Sequence, residues 1–204
     1  ARVPVLLLNR RTENEAVSSV TGQNMSGARI IGSFLIAGGH TRFAYVAGLE
    51  DSSTSQEREQ GFRRALAEAG TGLACRVVGH YDFAASREAA RRLFAGPGRP
   101  DAVFCANDHT AFAVMQTASS EFGLQAGRDV SIVGFDDVSL AAWPAFELTT
   151  FSQPVRRMAE RVVELALERI EEGESKPVHE VVSGELVVRK SARLPPPTWR
   201  PDRD

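Results

Sequence analysis

Four short apolar segments recur along the chain at nearly equal intervals. They are rich in Val, Ile, Phe and Ala, and they start at residues 43, 75, 102 and 130, which are 32, 27 and 28 residues apart. This is the spacing of βαβ units. Their continuous rather than alternating hydrophobicity is typical of strands that are covered on both faces. The repeat therefore predicts an α/β fold with doubly wound parallel sheets.

The intervals between these strands have helical patterns. Glycines stand where helix C-caps belong, and the predicted helices span residues 24–37, 55–69, 86–95, 108–122 and 154–172. The last helix has one apolar stripe, which we expect to face the core. Its members are Val155, Met158, Ala159, Val162, Ala166 and Ile170.

The composition narrows the class of protein. A content of 43 % hydrophobic and 25 % charged residues predicts a soluble globular protein, and a net charge of -2 gives this segment no electrostatic reason to hold nucleic acid or an anionic membrane. No apolar stretch approaches the ~20 residues that span a bilayer. The first residues lack a secretory signal. We expect a cytoplasmic protein, with a signal removed upstream of Ala1 as the alternative.

The sequence offers little for metal binding or catalysis. His40, His80 and His109 have no metal-ligand spacing, and Cys75 and Cys105 lie in apolar segments, as reduced buried thiols do. The nucleophile-elbow, phosphate-loop and H-E-x-x-H motifs are all missing. We therefore expect no metal, no cofactor and no enzymatic activity, and an enzyme of the same α/β class is the minority alternative.

Polar residues follow three of the predicted strands. Asn107-Asp108 and Asp136-Asp137 each come directly after an apolar segment, and the loop after residue 48 leads into a helix that carries Arg58. In open α/β sheets, ligands bind in the crevice beyond the carboxyl ends of the strands. The sequence therefore predicts a binding site for a small polar molecule at this edge.

Arg58 is the most informative of these residues. It lies four residues before Phe62 on the apolar stripe of its helix, and the predicted boundary places it in the first turn, where the helix dipole disfavours a cation. A charged residue on an apolar stripe and a cation in the first turn both go against local structural preferences, and such exceptions are typical of functional sites. A structural ion pair, or a side chain that extends to solvent, is the alternative.

The paired polar residues allow two interpretations each. Asp108 is expected to be the N-cap of its helix, which leaves the amide of Asn107 free for a hydroxyl-rich ligand. The Asp136-Asp137 pair could form a turn, accept two ligand hydroxyls, or pair with Arg58 across the cleft.

Longer stretches resemble the LacI/GalR-type bacterial transcription regulators over residues 3 to about 194. The matching segments follow in the order of that family: VSSVTGQNMSGARIIGSFLIAGGHTRFAYVAG, REQGFRRAL, AVFCANDHTAFAVMQ, VSIVGFDDVSLAAWPAFELTTFSQP and ELVVRKS. The resemblance implies a two-lobed, periplasmic-binding-protein-like effector domain with three chain crossings, near residues 22, 153 and 183.

The resemblance also implies a division of the chain. Residues 1–22 and 154–183 would form the N-terminal lobe, 23–153 and 184–194 the C-terminal lobe, and 195–204 a flexible tail. The family's helix-turn-helix, hinge and first two strand–helix units would precede Ala1, so the N-terminal lobe is expected to be incomplete. Operator DNA would then be bound only through that missing N-terminal domain.

Residues of the effector site are carried over position by position. Arg58, Asn107 and Asp136 match the family's polar ligand contacts, and Phe83 matches an aromatic on which the ligand ring stacks. Ser52 and Thr54 match variable loop positions, and Asn9 falls where many members have an aspartate. A sugar or a nucleoside is the implied effector.

The resemblance further implies a homodimer. It places Phe112, Met115 and Trp143 at the interface, while the residue pattern leaves open that all three belong to the core. A periplasmic sugar-binding protein of the same fold is the alternative to a regulator. The ELVVRKS ending and the apolar candidates for an interface favour the regulator.

Overall fold

A computed structural model describes residues 5–172 and 176–201 of the chain. The described residues leave out 1–4 and 173–175, which belong to the predicted N-terminal lobe, and 202–204, which belong to the predicted tail. The strands are β1 (Leu6–Leu8), β2 (Ser18–Gly22), β3 (Phe43–Ala47), β4 (Leu73–Val78), β5 (Ala102–Cys105), β6 (Ser131–Asp136), β7 (Thr149–Ser152), β8 (His179–Val182) and β9 (Leu186–Val187). The helices are α1 (Asn24–Ala37), α2 (Ser53–Glu68), α3 (Phe83–Phe94), α4 (Asp108–Phe122) and α5 (Val155–Glu172).

The larger sheet has six strands in the order β4-β3-β5-β6-β7-β9. Its first five strands are parallel, and β9 pairs antiparallel with β7. Val103 and Cys105 pack with α3 and α4 on one face, whereas Phe104 packs with α1 and α2 on the other. Both faces are covered, which confirms the doubly wound α/β fold that the apolar repeat predicts.

The smaller sheet is parallel and has the order β1-β2-β8. Helix α5 covers it, and its core consists of Val20, Met158, Leu165 and Val182. The predicted stripe of α5 is wrong at both ends, because Val155 is 59 % and Ile170 is 70 % exposed. A three-stranded sheet is too small to bury a long stripe, so the helix buries only Met158 in its first turn and Leu165 near its middle.

The chain passes three times between the two sheets. The first crossing joins β2 to α1, the second joins β7 to α5, and the third joins β8 to β9. A Cβ atom at Gly22 would lie 2.7 Å from Oε1 of Gln153, and one at Gly184 would lie 2.1 Å from the carbonyl oxygen of Ser152. The three crossings therefore lie against one another, and glycine is required at residue 184, where the close atom belongs to the backbone.

The segment after residue 194 packs on the six-stranded lobe as far as it is described. The Trp199 ring meets Phe34 of α1 edge-on with centroids 5.6 Å apart, and its Nε1 donates to Oγ of Ser33 at 3.3 Å. Residues 195–201 were expected to belong to a flexible tail, and this contact corrects that expectation for Trp199.

Two further expectations concern thiols and membranes. Both cysteines are unpaired, with Cys105 buried and Cys75 half-buried. Among residues 5–172 and 176–201, no helix combines the length and the hydrophobicity that crossing a bilayer requires.

Candidate functional site

Backbone strain collects at the carboxyl ends of the strands. Among the described residues, six non-glycine positions have positive φ, and five of them follow or end a strand at this edge. These five are Asn9 after β1, His80 and Tyr81 after β4, and Asp136 and Asp137 at the end of β6. Positive φ is costly for residues other than glycine and is concentrated in binding sites. The strain therefore marks the same edge that the polar residues predict.

Arg58 is held rigidly at this edge, and its residue is only 3 % exposed. Its Nε donates to Oδ1 of Asn24 at 2.9 Å, its Nη1 to the carbonyl oxygen of Ala106 at 2.5 Å, and its Nη2 to Oδ1 of Asp136 at 3.0 Å. Its Cζ lies 3.8 Å from the centroid of the Phe135 ring, which is a cation–π distance. Three of its five N–H groups are engaged in these bonds.

The position of Arg58 in its helix differs from the prediction. Helix α2 begins at Ser53 rather than at residue 55, so Arg58 lies in the second turn, where the helix dipole has little effect. The ion pair with Asp136 was one of the alternatives for both residues. Burial and this pairing, rather than an unfavourable dipole, distinguish Arg58 from the arginines on the surface.

The two aspartates at the end of β6 have separate partners. Asp136 accepts from Arg58 and also from Nε2 of Gln153, at 2.9 Å. Oδ1 of Asp137 lies 2.8 Å from Nη1 of Arg189, an ion pair that the sequence did not predict. The Asp136 side chain is 25 % exposed, so a carboxylate edge still reaches the cleft.

A cleft of about 560 Å³ opens beside Asp136. It lies at the second crossing, and the residues lining it include Asn9, Asp136, Asp137, Val138, Gln153 and Pro154. Within the described part of the chain, Oδ1 of Asn9 and Oε1 of Gln153 are buried and have no hydrogen-bond partner. A buried acceptor without a donor is costly. The cleft is therefore suited to a ligand that supplies hydroxyl or N–H donors to these oxygens and oxygen acceptors to Arg156 and Arg157, which also line it.

Ser52 and Thr54 lie at the start of α2. Both are buried, and their hydroxyl oxygens are 2.9 Å apart. Nη1 of Arg10 donates to Oγ1 of Thr54 at 3.3 Å, and the Arg11 backbone N–H donates to Oγ of Ser53 at 3.0 Å. The segment after β1 thus bridges from the three-stranded lobe to the N-terminus of α2.

Asn107 has the capping role that the sequence predicted for Asp108. Asn107 is the N-cap of α4, because its Oδ1 accepts from the Thr110 backbone N–H at 2.9 Å. Asp108 is fully buried and instead accepts from Oγ1 of Thr150 and from the Val138 backbone N–H. Burial raises the pKa of Asp108 to about 7. Asn107 would therefore reach a ligand through its amide nitrogen.

Phe83 opens α3 beyond the carboxyl end of β4, and it is 51 % exposed. The strands β4 and β6 are three positions apart in the sheet, which separates their ends by roughly 14 Å. Phe83 and Asp136 thus lie on opposite sides of the edge. No contact of Phe83 with Arg58 or Asp136 is present among the described residues.

The three candidate interface residues differ in exposure. Phe112 is 4 % exposed, and its ring packs on Phe146 with centroids 4.4 Å apart. It therefore belongs to the core, which corrects the prediction that it lies at the interface. Trp143 is 58 % exposed. Met115 is half-buried and lines a surface groove of about 450 Å³ together with Phe146.

Sequence reasoning missed two residues that shape the site. Asn24 is buried and connects Arg58 to the first crossing, and Gln153 orients Asp136 at the second. Both follow a strand end directly or one residue later, and this position is the signal that could have identified them.

Comparison with known families agrees with this geometry. The model of the periplasmic binding protein-like domain matches residues 33–192. The crystal structure of a LacI transcriptional regulator from a Rhodococcus species superimposes with a TM-score of 0.86, at 32 % identity over 94 % of this chain and 70 % of that one. The chain belongs to the LacI family.

Two further transcriptional regulators are similar to this chain. The structure of the transcriptional regulator CelR in complex with cellobiose has a TM-score of 0.86, with 31 % identity over 92 % of this chain and 58 % of that one. The probable transcriptional repressor ExuR of Bacillus subtilis (strain 168) is 30 % identical over 193 residues, which are 94 % of this chain and 58 % of ExuR. The chain thus spans less than two thirds of the length of the curated relatives it matches.

Proposed function

We propose that the chain is the effector-sensing domain of a LacI-family transcriptional regulator, usually a repressor. It would bind a small polar molecule such as a sugar or a nucleoside between its two lobes and so alter operator binding by the full-length dimer. The observation that carries this proposal is one cleft lined by Asp136, which is ion-paired with Arg58, and by Asn9 and Gln153, whose side-chain oxygens have no partner among the described residues. The similarity to the regulator CelR, whose structure is a complex with cellobiose, supports a sugar.

The proposal assigns roles to the site residues. Asp136 and Asn9 would accept ligand hydroxyls, and the unused N–H groups of Arg58 would donate to ligand oxygens. Asn107 would contribute its amide nitrogen, and Phe83 would offer an apolar face to a sugar or base ring. Ser52 and Thr54 would lie at the mouth of the site, beside Arg10.

The proposal has consequences for partners and location. Relatives that are repressors support a regulator without enzymatic activity, and they do not favour a periplasmic sugar-binding protein. Operator DNA would be bound by the domain that precedes this segment in the family, which requires a cytoplasmic protein. No metal, cofactor or membrane is needed for this role.

We also propose a homodimer formed through α4 and the segment around Trp143. The exposed Trp143 and the groove lined by Met115 and Phe146 support this surface, because aromatic and methionine side chains are enriched in interfaces. Phe112 would contribute by supporting Phe146 from the core.

A thermal-shift screen tests the effector proposal. The probes are cellobiose, ribose, adenosine and hypoxanthine, each titrated against the unsubstituted protein and against Arg58→Ala. At about 100 times its Kd a ligand adds about 2.7 kcal/mol of stability, which raises Tm by roughly 5–10 °C in a protein of this size. Arg58→Ala should abolish the shift, and Arg92→Ala, an exposed arginine on α3, should retain it. A shift that persists in Arg58→Ala would place the ligand elsewhere.

A further inference from the structure

The side chain of Asp108 does not cap the helix that it begins. It occupies the first position of α4, where Asn107 already provides the cap, and it has no solvent exposure. A carboxylate is costly to bury unless it is fully hydrogen-bonded. Its location therefore calls for a role other than helix capping.

The two oxygens of Asp108 bind two different elements. Oδ1 accepts from Oγ1 of Thr150 on β7 at 2.6 Å, and Oδ2 accepts from the Val138 backbone N–H at 2.9 Å. Gly134 on β6 leaves room for the carboxylate, since a Cβ atom there would lie 2.2 Å from Oδ1. One side chain thus connects α4, β7 and the loop that follows β6.

That loop carries the strained part of the effector site. Asp136 has φ of 120° and Asp137 has φ of 55°, and Val138 follows them directly. Such a backbone persists only where surrounding contacts hold it in place. The bond from the Val138 N–H to Asp108 holds the loop two residues beyond Asp136, and Gln153 and Arg58 hold the Asp136 side chain itself.

We propose that Asp108 is a positioning residue of the effector site. Its buried carboxylate fixes the turn at residues 136–138 so that Asp136 faces Arg58 and the cleft. The term effector site rests on the proposed function, whereas the fixing of the turn is independent of any ligand.

The charges around Asp108 make this support dependent on pH. Asp136 and Asp137 on the loop and Cys105 on β5 surround it, and the two aspartates are themselves paired with Arg58 and Arg189. Burial raises the pKa of Asp108 to about 7. The two hydrogen bonds oppose this shift, and the neighbouring carboxylates reinforce it. The ionised carboxylate is the stronger acceptor for both donors. Each of these two bonds is therefore stronger above pH 7, whereas the cost of burying the charge makes the folded state as a whole favour the protonated form of Asp108.

Hydrogen exchange on the full chain, without ligand, tests the proposal. Asp108→Asn keeps the side-chain volume but replaces one acceptor oxygen with an NH₂ group, which then faces either the Thr150 hydroxyl or the Val138 N–H. We expect exchange of the 136–142 segment to rise on the order of tenfold or more, with little change in the strands β3 and β5. Unchanged exchange at 136–142, or an equal rise throughout the lobe, would overturn the positioning role.

A matched variant separates positioning from capping. Asp82 is the N-cap of α3. Aspartate and asparagine are equally good caps. Asp82→Asn should therefore leave exchange of the 136–142 segment unchanged, and so would Asp108→Asn if Asp108 were only a helix-terminal residue.

A second measurement needs no substitution. The amide proton of Val138 should change its NMR chemical shift with pH through the titration of the carboxylate to which it donates, with a midpoint far above the ordinary Asp pKa of about 3.9. A shift that stays constant between pH 3 and 8.5, values chosen roughly to bracket both the ordinary and the raised pKa, contradicts the bond to Asp108 and with it the proposal. Neither measurement involves an effector, so a failed ligand screen and a failed positioning role are distinguishable.

Discussion

Arg58 packs its guanidinium group on the ring of Phe135 and donates to the carboxylate of the next residue, Asp136. The end of β6 therefore supplies both an aromatic face and a negative charge to the same cation. With Asn24 and Ala106 as further acceptors, the guanidinium is oriented before any ligand arrives. Such preorganisation reduces the entropy that binding would otherwise lose.

The first prediction concerns this orientation. Arg58→Lys should lose most of the effector affinity, because an ammonium group cannot donate to Asn24, Ala106 and Asp136 in the planar geometry of a guanidinium. We expect a loss of about 2–3 kcal/mol in calorimetric titrations with the stabilising probe, and a similar loss for Asp136→Ala. Arg64→Lys, on an exposed face of the same helix, is the control. Retained affinity in both Arg58→Lys and Asp136→Ala would refute the assignment.

The second prediction concerns Gln153. Its Nε2 donates to Asp136, so Gln153→Glu places two carboxylates about as close as that bond. Like charges at this distance raise the pKa of one group, so the pair should share a proton at acidic pH. Affinity for the probe should be reduced at pH 7.5 and partly recover near pH 5, at roughly the pH where a carboxylate pair protonates. Gln116→Glu, exposed on α4, should show the pH dependence of the unsubstituted protein.

The third prediction concerns self-association. Trp143→Ser removes the exposed aromatic of the proposed interface, and sedimentation at tens of micromolar, a rough choice suited to micromolar affinities, should then show a monomer. Phe83→Ser removes another exposed aromatic on a different helix and should remain dimeric. If the unsubstituted protein is itself a monomer at that concentration, the proposed dimer is wrong.

The fourth prediction concerns stability as a function of pH. The folded-state pKa of Asp108 is raised to about 7, above the unfolded value near 3.9, so the folded state binds more protons between these limits. Stability from this group is therefore fully present below about pH 4 and is lost as pH rises towards 7. Urea denaturation should show this falling contribution in the unsubstituted protein and not in Asp108→Asn. The same slope in both proteins would mean that other groups cause it.

The fifth prediction concerns Trp199. Trp199→Ala removes the contact with Phe34 and the bond to Ser33, at a cost of about 1–2 kcal/mol for a partly buried aromatic. Tm should decrease by roughly 2–8 °C. Leu194→Ala, at a position 65 % exposed, should change Tm little. An unchanged Tm in Trp199→Ala would show that the segment contributes nothing to the stability of the lobe.

The strands β3 to β6 of the larger sheet could be predicted because burial on both faces leaves a direct trace in the sequence. A continuous apolar segment needs only local information, and each of the four predicted segments overlaps a strand. The buried structural role of Asp108, with Asn107 as the helix cap, could not be predicted. It depends on Thr150 and Val138, which lie 42 and 30 residues away and approach Asp108 only in the folded sheet.

The candidate site, too, could be predicted only in part. Burial of Arg58 was foreseeable from its position on an apolar stripe, and its pairing with Asp136 was one of the alternatives. Its bond to Asn24 was not, because it depends on how α1 and α2 pack together. Phe112 looked like an interface residue in a family context, but its spacing on α4 also fitted the core, and the packing on Phe146 decided between the two.

The contacts at Gly22 and Gly184 affect how the two lobes can move. The three connecting segments lie side by side, with Gly22 against the side chain of Gln153 and Gly184 against the backbone of Ser152. Pulling the lobes apart or sliding one along the other would strain all three segments at once. A rotation about their common direction would change only a few torsion angles in each. We therefore expect the cleft to open and close mainly by such a rotation, which would change the distance between Asp136 and Asn9.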